Sequence, residues 1–358
     1  MAVSLAEHDA RRRGPARTDP LVIAYFLLFA GLIGIGLAVT LFGDPNAGQS
    51  GVVIDLKSSA AQSGDQHAML RPSEIPATQQ TETAAPAITE AVRAGSALVA
   101  DPALIENTPQ GPLPRIADDG RTPMAAYAPP IAAGKGIRIA LVIMGLGLSA
   151  KATSAALAGL PPAVTLAFAP HAGDVQSWVN QARQRGHEVL LEVPMEPSDY
   201  PDSDPGPHTL RAGTNAQNNS SRLDWSLSRF TGYAGVTNFL GGRMLTDSDA
   251  LEPVLTALSR RGLMFFDDGS VPNSTAPDVA HRLGAPFAQS AAIIDVQQDP
   301  ADIDRRLSQL EASAHAKGPA AGTAFVYPVT IARVAQWAKG LAGRGFVLVP
   351  ASAIVAAK

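Results

Sequence analysis

The chain has 358 residues, no cysteine and a formal net charge of −4, with a pI near 6.0. Without cysteine there are no disulfides, thiolate metal sites or thiol nucleophiles. The slight acidity gives no electrostatic reason to expect a nucleic-acid partner.

Arg11, Arg12, Arg13 and Arg17 precede an uncharged apolar stretch, Leu21 to Gly43. A helix needs roughly 20 such residues to span a bilayer, and the basic flank favours the cytoplasmic side. The expectation is a basic cytoplasmic N-terminus (1–20), a single anchor in a bacterial inner membrane (21–43) and a periplasmic remainder. A cleaved signal peptide is the alternative, but its apolar core is usually shorter, about 7 to 15 residues. From 44 to 136, Pro, Ala, Ser, Thr and Gln dominate without apolar periodicity. Such a composition buries too little to offset its ordering entropy and reads as a tether. Two pieces in it are candidates for order: 52–56, and 111–130 as an arm packed on the next domain.

From 137 to 358, apolar runs alternate with amphipathic stretches. The strand candidates are Ile137–Ile143, Ala163–Phe168, Glu188–Val193, Ala234–Asn238, Leu263–Asp267, Ala291–Asp295, Thr323–Val326 and Phe346–Val349. Between them, Val175, Trp178, Val179 and Ala182 recur at helical spacing. So do Ile303, Leu307, Leu310 and Ala314, and then Ile331, Val334, Ala338 and Leu341. This alternation predicts an α/β domain with a mainly parallel sheet, either a distorted (β/α) barrel or a wide doubly wound sheet. Ligand groups should then follow the carboxyl ends of the strands.

The first strand runs into "IALVIMGLGLSA" (139–150), whose glycines at 145 and 147 and alanine at 150 fit a G-x-G-x-x-A dinucleotide loop. That reading also needs an acid closing the second strand. The second strand ends instead in Ala169-Pro170-His171. Nicotinamide binding is the weaker reading.

Successive blocks over 137–354, among them "ARQRGHEVLLEVPMEP", "DPGPHTL", "GVTNFLGGRMLTD" and "GLMFFDDGS", resemble the divergent polysaccharide deacetylase family. The resemblance implies a distorted (β/α) barrel and carbohydrate chemistry at its mouth. In the broader class a divalent metal such as zinc, held by an Asp-Asp pair and histidines, activates water for deacetylation. This chain departs from that pattern. Met144 and Gly145 stand where the acids should be, Phe239 where the histidine of an Asn-Asn-His block should be, and Tyr327-Pro328 where a His-Pro should be. Such side chains do not hold a hard cation, so the expectation is no metal and no cofactor.

The polar groups left at the strand ends are His171, Glu192, Glu196, Asn238, Arg243, Asp267, Asp268 and Tyr327. Neighbouring strand residues point to opposite faces, so one of Asp267 and Asp268 enters the pocket. The family pattern favours Asp267, paired with Glu192 or Glu196 for acid–base work. His171, Asn238, Arg243, Asp268 and Tyr327 are candidates for sugar contacts. Each has a structural alternative: Glu196 and Arg243 as an ion pair closing the mouth, Asn238 as a turn cap. Three functional readings stay open. They are a protein binding an envelope glycan such as peptidoglycan, an active hydrolase with a relocated site, and a non-enzymatic interaction module.

Overall fold

The computed structural model describes residues 100–131 and 136–355, which belong to one compact unit, 80–358. The expected anchor (21–43), its basic flank and the stretch 52–56 lie outside the described residues. Among the described residues no helix is long and apolar enough to cross a membrane. This corrects the expectation of an inner-membrane protein with a periplasmic domain, which no described element supports.

Eight parallel strands form the main sheet: β3 (Ile137–Leu146), β4 (Thr165–Phe168), β5 (Val189–Met195), β6 (Gly235–Leu240), β7 (Met264–Asp267), β8 (Phe287–Ile293), β9 (Ala320–Phe325) and β10 (Phe346–Val349). Strands β3 to β9 pair in chain order, and β9 pairs back onto β3, so seven strands close a barrel. The ten-residue β3 serves three neighbours. Its first half, 137–140, pairs with β10, positions 142–146 pair with β4, and 139–144 pair with β9. Helices α2 (Ala150–Gly159), α3 (Val175–Gln184), α4 (Ala216–Leu227), α5 (Ser248–Arg260), α6 (Ala276–Leu283), α7 (Pro300–Lys317) and α8 (Pro328–Lys339) link successive strands.

Both faces of most barrel strands are covered, so those strands read as continuous apolar runs, while β8 leaves Gln289 and Ala291 exposed. On β3, Ile139, Leu141 and Ile143 face the helices and join one core with Leu307, Leu310 and Val334. Ala140, Val142 and Met144 point inward and fill the barrel with Leu190, Phe266 and Ala321. Each fully buried Leu, Ile or Phe contributes about 1.5–3 kcal/mol. Five of the eight α-helices described are capped at their start by a short polar side chain. Ser149 accepts from the Ala152 N–H, Asp247 from Asp249 and Ala250, and Asp299 from Ala301 and Asp302.

The floor of the barrel, at the amino ends of the strands, is closed by residues 349–354. Val349 and Ala351 enter the inner core. The Ala351 N–H donates to Thr165 Oγ1 at 2.9 Å, and Thr165 donates to buried Glu188 at 3.0 Å. The N-terminal arm is ordered and begins earlier than the expected 111. It consists of the hairpin β1 (Ile105–Thr108)/β2 (Gly111–Pro114) and the short helix α1 (Pro123–Tyr127). Tyr127 packs with Leu104, Ala117 and Ala234, under the Arg183 guanidinium at 4.4 Å from its ring centroid.

All eight expected strands are present. The largest displacement is β8, expected at Ala291–Asp295 and found at Phe287–Ile293. A register irregularity between Ser290 and Ala292 breaks its pattern, and the apolar run lies past the break.

Candidate active site

The mouth lies at the carboxyl ends of the strands. There β3 turns through Gly145 (φ 82°) and Gly147 (φ 88°), backbone angles that glycine adopts without a Cβ penalty. A Cβ on Gly147 would sit 2.6 Å from the Ala172 Cβ, so this turn passes directly against the loop after β4. The glycines therefore serve close packing at a barrel end. A closed barrel with strands in chain order has no strand-order reversal and so lacks the crevice a dinucleotide fold uses.

The Gly145 N–H donates to Glu192 Oε1 at 2.5 Å. Glu192 lies on the inward face of β5, between Leu190 below and Pro194 above, and is 2% exposed. Burial, with the nearby Asp268 charge in support, pushes its carboxyl up to about 8 against the opposing pull of the Gly145 N–H. At neutral pH Glu192 is thus a proton carrier.

Asp268, rather than the expected Asp267, is the carboxylate that approaches Glu192. The pleat decides it. Phe266 faces the barrel interior and Phe265 the helices, so Asp268 follows the inward parity and Asp267 the outward one. Asp267 is fully buried and accepts from the Gly269 N–H at 2.9 Å and the Gln289 amide at 3.2 Å, stitching β7 to β8. Burial raises the Asp268 carboxyl, opposed by the Ser270 N–H and the Asn238 amide. Asn238 uses both ends of its amide locally, accepting from the Asp268 N–H at 2.9 Å and donating to the Leu240 carbonyl at 2.8 Å. It positions Asp268 and leaves no amide atom free for a ligand. Leu240, next to it, is held at φ 60°, a left-handed conformation that costs a leucine on the order of 1 kcal/mol or more.

Glu196 and Arg243 are brought together as the expected pair, Oε1 to Nη1 at 3.4 Å, with Glu196 2% and Arg243 61% exposed. The Glu196 carbonyl also accepts from the Arg243 and Met244 N–H groups, which clamps the end of β5 to the loop after β6. Glu196 Oε2 and Thr237 Oγ1, the latter in register with Glu192, are buried without a hydrogen-bond partner. Tyr327 stands at the position before α8 without a capping hydrogen bond from its side chain, its ring 6.1 Å from that of Phe325. His171 is exposed after β4 and lines a separate pocket with Pro194, His208 and Trp225.

The donor set does not suit the divalent metal of the broader class. Met144 is fully buried in the inner core, and neither Gly145 nor Phe239 has a side-chain atom that could ligate a cation. Among the described residues no three His, Asp or Glu side chains are grouped so as to hold a metal ion.

Sequence reasoning missed three things. The Gly145 N–H is a backbone donor and leaves no residue-type signal. The parallel stack of His208 on Trp225 (centroids 3.6 Å, planes 8° apart) joins a loop to α4, and no periodicity encodes it. Asp295, at the end of β8, accepts from the Phe325 N–H and the Thr330 hydroxyl, both at 2.8 Å, and fixes the turn into Tyr327. Its place after an apolar strand was the available signal.

The match to the divergent polysaccharide deacetylase model covers residues 141–355. The crystal structure of the uncharacterized protein ATU2773 from Agrobacterium tumefaciens C58 is 42% identical with a TM-score of 0.67, covering 68% of this chain and all of that one. The Escherichia coli (strain K12) protein YibQ, itself called uncharacterized, is 25% identical over 213 residues. That match covers 60% of this chain and 65% of YibQ, less than two thirds of its length. A Haemophilus influenzae protein, also called uncharacterized, is 24% identical over 195 residues, which are 54% of this chain and 69% of that one. With its closed barrel and with more than half its length matched, the chain belongs to the divergent polysaccharide deacetylase family.

Proposed function

We propose that the barrel mouth binds an N-acetylated glycan, peptidoglycan among the candidates, through hydrogen bonds rather than through a metal. The observation that carries this reading is Glu192: a buried carboxyl at the mouth, held by the Gly145 N–H beside Asp268, where the family pattern places a cation and where burial favours the protonated form. A neutral carboxyl donates one hydrogen bond and accepts others, which suits a sugar hydroxyl or an acetamido oxygen. The partnerless Thr237 hydroxyl and Glu196 oxygen add acceptors at the same end. Arg243, mostly exposed, extends a guanidinium over the rim. Asp267 and Asn238 support this surface from behind.

The test is calorimetric titration of the protein with N-acetylglucosamine oligomers and muropeptides. A neutral hydrogen bond is worth about 0.5–1.5 kcal/mol and one to a charged group about 1.5–3 kcal/mol, so Glu192→Ala should weaken binding up to about tenfold and Asp268→Asn by roughly tenfold or more. Absence of measurable affinity for any of these glycans would dispose of the reading.

The same pair supports a second reading, a hydrolase without a metal. One carboxylate takes a proton from water as the oxygen attacks the acetamido carbon. The protonated Glu192 then gives its proton to the departing amine, leaving acetate and a free amino sugar. Acetate release that disappears in Glu192→Gln would favour it. Unaltered acetate release in that variant, or none from the native protein, would count against it.

A further inference from the structure

A second cavity lies beside the mouth and outside the Glu192–Asp268 pair. Its volume is about 320 Å³, and its walls are His171, Pro194, Pro207, His208 and Trp225, with Pro205 and Gly206 at the edge. That lies at the lower end of small-ligand pockets. One wall is the loop between β5 and α4, residues 196–215, which is long for a connection without regular structure. The loop is tied at its foot. Glu196 N donates to the Leu210 carbonyl and Leu210 N to the Pro194 carbonyl, both at 2.8 Å. The Asn219 side chain grips the backbone of Arg211 at 3.0 and 2.9 Å. Its tip carries His208 onto Trp225, so the cavity has a fixed aromatic wall.

The surroundings are basic. Arg222, Trp225 and Arg229 recur at spacings of three and four along α4 and its C-terminal end, which places them on one side. Arg229 stands 5.0 Å from the Trp225 ring centroid. Burial, then Arg229 and Arg222, hold the His208 imidazole below its usual range, so that ring is neutral at pH 7. Among the described residues neither Arg222 nor Arg229 makes an ion pair. Arg222 Nη1 is buried with no hydrogen-bond partner. Arg222 is half-buried, and a guanidinium nitrogen withheld from water and left without an acceptor is complementary to an anion.

We infer that this cavity is a subsite for an anionic amino sugar, whose ring lies on the Pro207–His208–Trp225 wall and whose acidic group reaches Arg222 and Arg229. The inference rests on the glycan reading above and adds a charge preference to it. The aromatic and proline wall takes the apolar face of a pyranose, His171 meets its hydroxyls, and the two guanidiniums select its charge.

The test uses the whole protein in low-salt buffer and follows tryptophan fluorescence. The probes are N-acetylglucosamine, N-acetylmuramic acid (a carboxylate) and N-acetylglucosamine 6-phosphate. Trp225→Phe assigns the signal among the three tryptophans. At least one acidic sugar should bind about tenfold tighter than the neutral one, the value expected for one charge-assisted contact. Arg229→Gln, at an exposed position, and Arg222→Gln should erase that preference, so that acidic and neutral sugars bind each variant with equal affinity. The two acidic probes separate carboxylate from phosphate selection. Equal affinity for all three, or a preference that survives both arginine variants, overturns the subsite and leaves the glycan reading standing. No binding of any probe, together with no oligomer binding at the mouth, overturns both.

Discussion

Two glutamates on the same inward face of the β5 segment, four residues apart, have opposite circumstances. Both are buried, and burial raises both carboxyls above the ordinary range. Glu188, at the floor, accepts from the Thr165 hydroxyl at 3.0 Å and from the Ser352 N–H at 3.1 Å. It is sealed in by residues 349–354. Glu192, at the mouth, has a single donor, the Gly145 N–H, and a like-charged neighbour in Asp268. Glu188 Oε1 is a structural rivet that holds two donors of the chain, while its Oε2 is buried without a partner. Glu192 holds one backbone donor and stands at the open end of the barrel, where a ligand can supply the rest.

The comparison is sharpened first by pH. A folded-state carboxyl raised from 4.5 to about 8 keeps its proton where the unfolded chain has lost it. Stability therefore falls as pH rises through the window from 4.5 to about 8, by about 1.4 kcal/mol per pH unit for one such group. Between pH 5 and pH 7 the loss should be on the order of 3 kcal/mol for Glu192 alone. Urea denaturation at the two pH values should show this difference, and Glu192→Gln should reduce it; an equal pH dependence in that variant would refute the assignment. Next comes the floor. Glu188→Ala strands the Thr165 hydroxyl and the Ser352 N–H in the interior, at a cost of about 2 kcal/mol in unfolding free energy. Glycan affinity should be retained wherever that variant is folded, because no glycan contact is proposed at the floor. The smallest effect belongs to the rim. Leu240→Gly relieves a left-handed leucine, and unfolding free energy should rise by up to about 1 kcal/mol.

Much of the barrel is written in the apolar runs, because strands buried on both faces are compact and distinct from helical stripes. What those runs do not carry is closure. Parallel strands in an open sheet and in a barrel have the same pattern, and only the pairing of Ile139–Met144 with Ala320–Phe325 separates them. The hairpin at 105–114 was hidden by Pro112 and Pro114, which cannot donate in a ladder and so argue against a strand. At the site, the principle that only one of Asp267 and Asp268 could enter the mouth was legible. The choice between them was not, because it depends on which of Phe265 and Phe266 faces inward, and both are equally apolar. Glu196–Arg243 was readable from its turn residues. The aromatic wall of His208 on Trp225 was not, since its geometry comes from a loop tied down by backbone hydrogen bonds at Leu210 and Arg211.

The segment that closes the barrel floor also bears on how the molecule assembles. Ala351 and Thr165 meet although 186 positions separate them in the chain. Most of that span is already bridged when β9 pairs with β3, which joins Ile139 to Ala320, so the floor contact closes only the short stretch left after the ring has formed. Until it happens, the inner faces of Ala140, Leu190 and Phe266 lack their cover from Val349 and Ala351. A nascent chain that has emerged only as far as β9 would therefore hold a ring of strands whose apolar base is open to water.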